Sequence, residues 1–185
     1  MKYISLLIVA GAVFFSACKN GNNAPKTSKE LLEQAQQNMN SGAGKFSIDA
    51  PAGWRKTDTT LNGIKLTFLF APTETDGFRS NINIVSENVG KLSFEDYHKA
   101  TMATMGKYMS NFKVLDSGDK EINGLAGKWF KYSSDQTGGA DVVARNYTVV
   151  KNGIAYIITG VAKVKDEASV APVIESTVAT FKVTE

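Results

Sequence analysis

Asn-Gly pairs followed at once by an apolar residue constrain this chain more than any other feature, and there are three: Asn62-Gly63 before Ile64, Asn123-Gly124 before Leu125 and Asn152-Gly153 before Ile154. Both central positions of a type I′ hairpin turn need positive φ, which Asn and Gly adopt at least cost. Tight hairpins repeated in this way imply a mainly antiparallel sheet. The flanks agree, because FSIDAP, GWRKTDTT, IKLTFLF and NINIVSE alternate between Gly, Pro, Asn and Asp boundaries, and VVARNYTVV and IAYIITGVA surround the last pair directly. Ile64, Leu66, Phe68 and Phe70 fall on one face, with Lys65 and Thr67 opposite, as in strands with at least one buried side. The spacing of the pairs is uneven, so the chain carries no internal repeat.

Helical periodicity interrupts the strand pattern. SFEDYHKATMATMGKYMSNF sets Phe94, Tyr97, Thr101, Met105, Tyr108 and Phe112 at helical spacing behind a Ser93–Asp96 capping pair, with Met102 and Met109 beside them. This predicts a helix covering one sheet face, its methionines filling gaps in the core rather than holding a metal. Ser169 is placed to cap a helix running to about Ala179, with Pro172 in its first turn and Val170, Val173, Ile174 and Val178 on its apolar side. Phe181 and Val183 then close the core. Earlier, Thr27 and Glu30 form a capping box ahead of Leu31, Leu32, Ala35 and Met39. A short helix over 28–40 follows, stopped by the glycine-rich 41–44. Gly42, Gly44 and Lys45 do not make a phosphate loop, since Met39 stands where that pattern needs Gly and Phe46 where it needs Ser or Thr. Helices separated by antiparallel hairpins specify a layered α+β domain over 45–185.

The opening MKYISLLIVAGAVFFSAC has the parts of an export signal: basic Lys2, an apolar run from Ile4 to Phe15, and small Ser16 and Ala17 before Cys18. That run is too short to cross the roughly 30 Å hydrocarbon layer as a helix. Phe15, Ser16, Ala17 and Cys18 resemble the bacterial lipobox, with Phe15 in place of the usual Leu. Cys18 is the only cysteine, so it has no internal disulfide partner. The expectation is a leader over 1–17 that is removed, diacylglycerol on the Cys18 sulfur, an acyl chain such as palmitate on the new amino group, and a flexible polar tether over 18–27 broken by Pro25. Several acyl chains at about 0.8 kcal/mol per buried methylene anchor a protein durably. Such a protein faces the periplasm, and Lys19 after the cysteine, where Asp would favour the inner membrane by the enterobacterial rule, leans toward the outer one. Loss of Lys2 with the leader leaves 20 basic against 18 acidic side chains. That balance creates no field for nucleic acid, and Lys19, Lys26 and Lys29 read as solvated tether lysines. The 43% hydrophobic and 21% charged content suits one globular domain beyond the tether.

Taken together, KFSIDAPAGW, the aromatic helix after SFEDY, INGLAGKWFKY, VARNYTVVKNGIAYIITG and the closing TF resemble the PsbP and DcrB-like superfamily, which includes the Ran-binding Mog proteins and LpqN-type lipoproteins. The likeness runs from Lys45 to Val183 and rests on Phe46, Pro51, Gly53, Trp54, Gly124, Ala126, Asn152, Gly153, Tyr156 and Phe181. It implies an antiparallel β-sheet layered between helices, an αβα sandwich, and non-enzymatic binding, scaffolding or assembly work. No functional residue carries over, because fold does not fix function.

The chemistry-bearing residues are few. His98, the only histidine, lies beside Glu95 and Asp96 without a nucleophile-elbow motif and reads as a solvated helix residue. With one histidine and one cysteine, zinc and thiol chemistry lack ligands, so no metal, cofactor or catalytic residue is assigned. Asp116, Asp119 and Glu121, Glu74 and Asp76, and Asp135 and Asp141 offer carboxylates for glycoside hydrolysis or calcium, but DSGDKE and DQTGGAD fail the calcium-loop pattern and read as hairpin ends. Trp54, Trp129, Phe130, Tyr132 and Tyr147 read mostly as core, since adjacent Trp129 and Phe130 are both buried only if both sheet faces are covered. The leading expectation is a lipid-anchored, non-catalytic binding or scaffolding module of the bacterial cell envelope, with an envelope protein partner and no nucleic acid. The alternative is a carrier or sensor for a small ligand or cation at the sheet edge, and the third reading is a carboxylate-dependent hydrolase.

Overall fold

The computed structural model describes residues 44–61, 64–135 and 141–184. The leader over 1–17, Cys18 with its tether, the helix expected over 28–40, the glycine-rich stop up to 43 and the Asn62-Gly63 turn lie outside the described residues. In chain order the elements are strand β1 (Phe46–Ser47), β2 (Arg55–Leu61), β3 (Ile64–Phe70), β4 (Asn81–Asn88), helix α1 (Phe94–Tyr108), β5 (Lys113–Ile122), β6 (Leu125–Asp135), β7 (Asp141–Lys151) and β8 (Ile154–Lys163). A 3-10 turn at Val164–Asp166, helix α2 (Glu167–Val178) and β9 (Lys182–Val183) complete it.

The seven longer strands form one antiparallel sheet in the order β2-β3-β4-β8-β7-β6-β5, while β1 and β9 pair apart from it. Positive φ at Asn123 (49°), Gly124 (79°), Asn152 (54°) and Gly153 (74°) gives the β5–β6 and β7–β8 hairpins the turn that Asn-Gly specifies. Strand alternation then decides what covers each face. Along β8, Tyr156 and Ile158 pack with Ile174 and Val178 of α2, whereas Ala155 and Ile157 pack with Tyr97 of α1 and Val161 with Met105 of α1. Trp129 and Phe130 divide in the same way, one toward each helix. Helices on both faces of an antiparallel sheet make the α+β sandwich expected from the sequence.

Helix α1 begins as its sequence specifies, with the Ser93 hydroxyl accepting from the Asp96 backbone N–H at 3.1 Å. It buries Tyr97, Thr101 and Met105. Tyr108 continues the spacing but falls in the last turn, past the neighbours that bury Met105, and is 63% exposed with the Lys107 ammonium over its ring.

Several boundaries differ from expectation. Strand β1 is only two residues long because its partner β9 is: Phe181 N–H still bonds back to the Val178 carbonyl at 3.0 Å, and the chain after β1 turns at Pro51, where Trp54 N–H donates to the Pro51 carbonyl at 2.9 Å with Gly53 at φ 78°. Helix α2 starts at Glu167, ahead of Ser169, because the 3-10 turn already initiates it; the Ser169 hydroxyl donates to the Asp166 carbonyl, and Pro172 sits beyond the first turn on the exposed side. DSGDKE is not a hairpin end but the middle of β5, an exposed edge strand where poor strand formers cost little.

Helix α2 sits directly on β8 at Gly160, where a Cβ would lie 2.6 Å from the Ile174 side chain. Gly160→Ala is therefore expected to lift α2 and destabilise the fold by about 1–3 kcal/mol. Ser93→Ala is expected to cost about 1 kcal/mol through the lost cap. Chemical denaturation of each variant against the parent chain measures both.

Candidate functional site

The acids singled out from the sequence do not converge. On β5, alternation sends Asp116 to the α2 face, paired with Lys131, and Asp119 and Glu121 to the α1 face, paired with Lys128 and Ala126. Asp119 is held by Lys128 at 2.8 Å, which keeps its carboxyl below the usual range, and Lys128 also reaches Glu95 at 3.2 Å. Lys165 and then Lys163 hold Asp76 low in the same way, at 2.5 and 3.2 Å, and Glu74 pairs with Arg79 at 2.9 Å. Asp135 accepts from Asn111 and lies across from Asp141. Among the described residues, no group of three His, Cys, Asp or Glu side chains is placed to hold a metal ion. His98 is half-buried instead of solvated, its ring edge-on to Phe130 at 5.7 Å; burial, then Lys128, lowers its pKa, so it is neutral at pH 7.

A charged network that the sequence reading missed lies on the α2 face. Glu167 of α2 receives Arg145 at 2.7 Å and Lys131 at 3.0 Å, while Glu175, two turns later, receives Lys120, the Tyr147 hydroxyl and Arg145. Arg145 and then Lys131 hold Glu167 ionised, and Trp129 stacks on Tyr147 at 6.5 Å. These contacts fasten α2 to β5, β6 and β7. The available signal was the spacing of Arg145 and Tyr147, two apart on β7, opposite acids eight apart on one helix. Of the other aromatics, Phe130 and Tyr132 are buried under α1, and Trp54 is partly buried against the α2-side core.

Under α1 the sheet carries a polar seam. Asn83, Thr159 and Asn146 share one cross-strand row; the Asn146 amide donates to the Thr159 hydroxyl at 3.1 Å and the Thr148 hydroxyl donates to Asn146 at 3.0 Å. Near the end of β4, Glu87 is 3% exposed beside the Tyr97 phenol. Burial pushes its carboxyl up to about 8, against the opposing hydrogen bond from Tyr97, so it is mostly protonated at pH 7.

The open concavity lies at the other sheet edge, on the α2 face of β2 and β3. Alternation along β2 points Lys56, Asp58 and Thr60 into it, and their partners on β3 are Leu69, Thr67 and Lys65. Gly44, Lys45 and Phe46 form the facing wall. The wall is fixed: a Cβ at Gly44 would collide with the Tyr156 ring, its N–H donates to the Ser86 hydroxyl at 3.2 Å, and Phe46 packs on Phe181 at 5.6 Å. The result is a cleft of about 460 Å³, within the range of small-molecule sites. It exists because the core under α2 and the β1–β9 pair reaches β3 only at the buried Leu69, and leaves Asp58, Thr60 and Lys65 of the β2–β3 hairpin exposed on that face.

No family model matches the sequence, and no curated protein matches it. Solved structures do. PA94, a protein of unknown function from Pseudomonas aeruginosa, is 17% identical with a TM-score of 0.58, over 71% of this chain and 98% of that one. LpqN, involved in cell envelope biogenesis of Mycobacterium tuberculosis, is 11% identical with a TM-score of 0.62, over 78% of this chain and 86% of that one. The cyanobacterial PsbP of Synechocystis is 12% identical with a TM-score of 0.55, over 75% and 86%. At such identities the likeness establishes the fold, and the fold is PsbP-like.

The raised Glu87 carboxyl links stability to pH. An acid whose folded pKa lies near 8 and whose unfolded value is 4.5 holds its proton longer when folded, so its stabilising effect is complete below pH 4.5 and is lost as pH rises through 8. Glu87→Gln keeps the shape without the titration. It is expected to flatten the fall in stability between those limits and to be more stable than the parent at pH 8 by more than about 1 kcal/mol, as read from denaturation midpoints across pH.

Proposed function

We propose that this chain, built on the PsbP-like fold, is a lipid-anchored, non-catalytic binding or scaffolding module of the bacterial cell envelope. The observation that carries this reading is how the candidate catalytic groups are used: the acids are divided between the two sheet faces and several are held in ion pairs that fasten the fold. General acid–base work needs a proton donor and acceptor within reach of one substrate, and Asp116, Asp119 and Glu121 do not share a face. The envelope-associated LpqN neighbour supports the location, and among the described residues no helix is long and apolar enough to cross a membrane. In this reading Cys18 attaches the domain, its lipid holding it at a membrane on the periplasmic side, the outer one by the lean of Lys19. An envelope protein is the partner of this reading.

A second reading is favoured by the cleft on β2 and β3: a carrier or sensor for a small ligand at the sheet edge. Its three lysines disfavour the cation version and support an anionic one.

Cys18→Ala is expected to move the protein from the carbonate-washed membrane pellet to the soluble fraction. Retention of the variant in the pellet defeats the anchor. Capture of the same partner from solubilised envelope by parent and variant tests the binding role separately from attachment.

A further inference from the structure

We propose that the cleft between the β2–β3 hairpin and the Gly44–Phe46 wall binds a phosphate ester. The inference rests on the small-ligand reading and names its ligand class.

The donors in the cleft are spatially opposed. Lys56 and Lys65 rise from its floor on neighbouring strands, and Lys45 belongs to the wall across from them. An ammonium group only donates hydrogen bonds, so three of them in one concavity select a ligand rich in acceptors and negative charge. Lys56 donates to the Ile48 carbonyl at 3.3 Å, whereas the Lys45 and Lys65 ammonium groups have no hydrogen-bond or ion-pair partner among the described residues. The single carboxylate, Asp58, accepts from the Thr67 hydroxyl at 2.6 Å, which leaves the cleft with a net charge of two positive units. Thr60, directly across from Lys65, adds a hydroxyl donor beside the ammonium.

A multiply charged oxyanion fits this better than a single carboxylate, because its oxygens can meet ammonium groups on two walls at once. The organic remainder of an ester has room, since one tetrahedral anion leaves most of about 460 Å³ unfilled. Phe46 and Leu66 are the large apolar side chains at the cleft, so a polar remainder is preferred. Such a group comes from a lipid headgroup that is itself a phosphate monoester, as in phosphatidic acid, or from a free phosphorylated compound, and both present the same multiply charged phosphate to these lysines.

The test uses the full chain carrying Cys18→Ala, so that no acyl chain drives sedimentation, in two arms. In the first, backbone amide shifts are followed by NMR during titration with glycerol 3-phosphate at constant ionic strength. In the second, co-sedimentation is measured with phosphatidylcholine vesicles, with and without phosphatidic acid. Saturable shifts at Lys56, Thr60 and Lys65 are expected in the first arm, weakened at least about fivefold by Lys45→Gln or by Lys65→Gln. Asp58→Asn is expected to tighten binding, and Lys107→Gln on α1 to leave it unchanged. All four positions are exposed, and an unchanged melting temperature certifies that each variant is folded. Lysine-dependent binding in the first arm alone assigns the site to soluble phosphate esters, and in the second arm alone or in both to headgroups. The proposal is overturned if neither arm shows saturable binding, or if binding ignores Lys45 and Lys65. Partner capture and membrane fractionation are read independently, so failure here leaves the scaffolding role standing or falling on its own measurements.

Discussion

Burial of both faces of β4, β8 and β7 is the constraint on which the remaining structure depends. Seven consecutive residues of β4, from Asn81 to Glu87, are buried, and β7 and β8 are buried almost throughout. A strand buried on both sides needs two covering layers, and each large aliphatic side chain so covered contributes about 1.5–3 kcal/mol. The chain supplies one layer between β4 and β5 as α1 and the other after β8 as α2, which places β8 at the centre although it forms late in the sequence. The outer strands inherit the opposite condition. With one neighbour each, β2 and β5 remain polar, and β5 carries a register shift between Val114 and Asp116 along with Lys113, Asp119 and Lys120, features that discourage pairing with another chain.

Much of this architecture was legible because the decisive signals are local. Asn123-Gly124 and Asn152-Gly153 fix their hairpins through backbone sterics alone, and Ser93 announces α1 by a bond made three residues away. The cap of α2 was missed by three residues, Ser169 against Asp166, because a 3-10 turn has no side-chain signature as strong as a cap. Asp116, Asp119 and Glu121 were misplaced for another reason: Asp and Gly suggest a turn, yet an exposed edge tolerates them within a strand. The cleft was half-visible. Lys56, Asp58, Thr60, Lys65 and Thr67 alternate on the face opposite Leu66 and Phe68, but nothing local says that α2 stops short of that face or that Gly44–Phe46 crosses in front of it. Such facts belong to long-range packing, where Gly44 meets a Tyr156 ring more than a hundred residues away.

Three glutamates show how one side-chain type takes different states. Glu87 is removed from water beside a phenol and keeps its proton. Glu175 is also partly removed from water, but Lys120, the Tyr147 hydroxyl and Arg145 outweigh that burial and hold its charge. Glu167 has less burial to overcome and is ionised by Arg145 and Lys131. Cations are therefore committed under α2, where they dock a helix, whereas at the β2–β3 edge three lysines share one carboxylate, Asp58. That contrast within one sheet face separates groups that hold the molecule together from groups available to something else.

The pairing of β1 with β9 has a mechanical consequence. Phe46 sits opposite Val183, so the incoming and outgoing ends of the domain leave it side by side. A load on the segment before residue 44 falls first on the Gly44 N–H bond to the Ser86 hydroxyl, then on two backbone pairs and the Phe46, Tyr156 and Phe181 rings. Ser86 belongs to β4, so the seven-stranded sheet is joined to the incoming segment through that bond as well as through the latch. In the anchored form proposed above, drag reaches the rim of the cleft before the core.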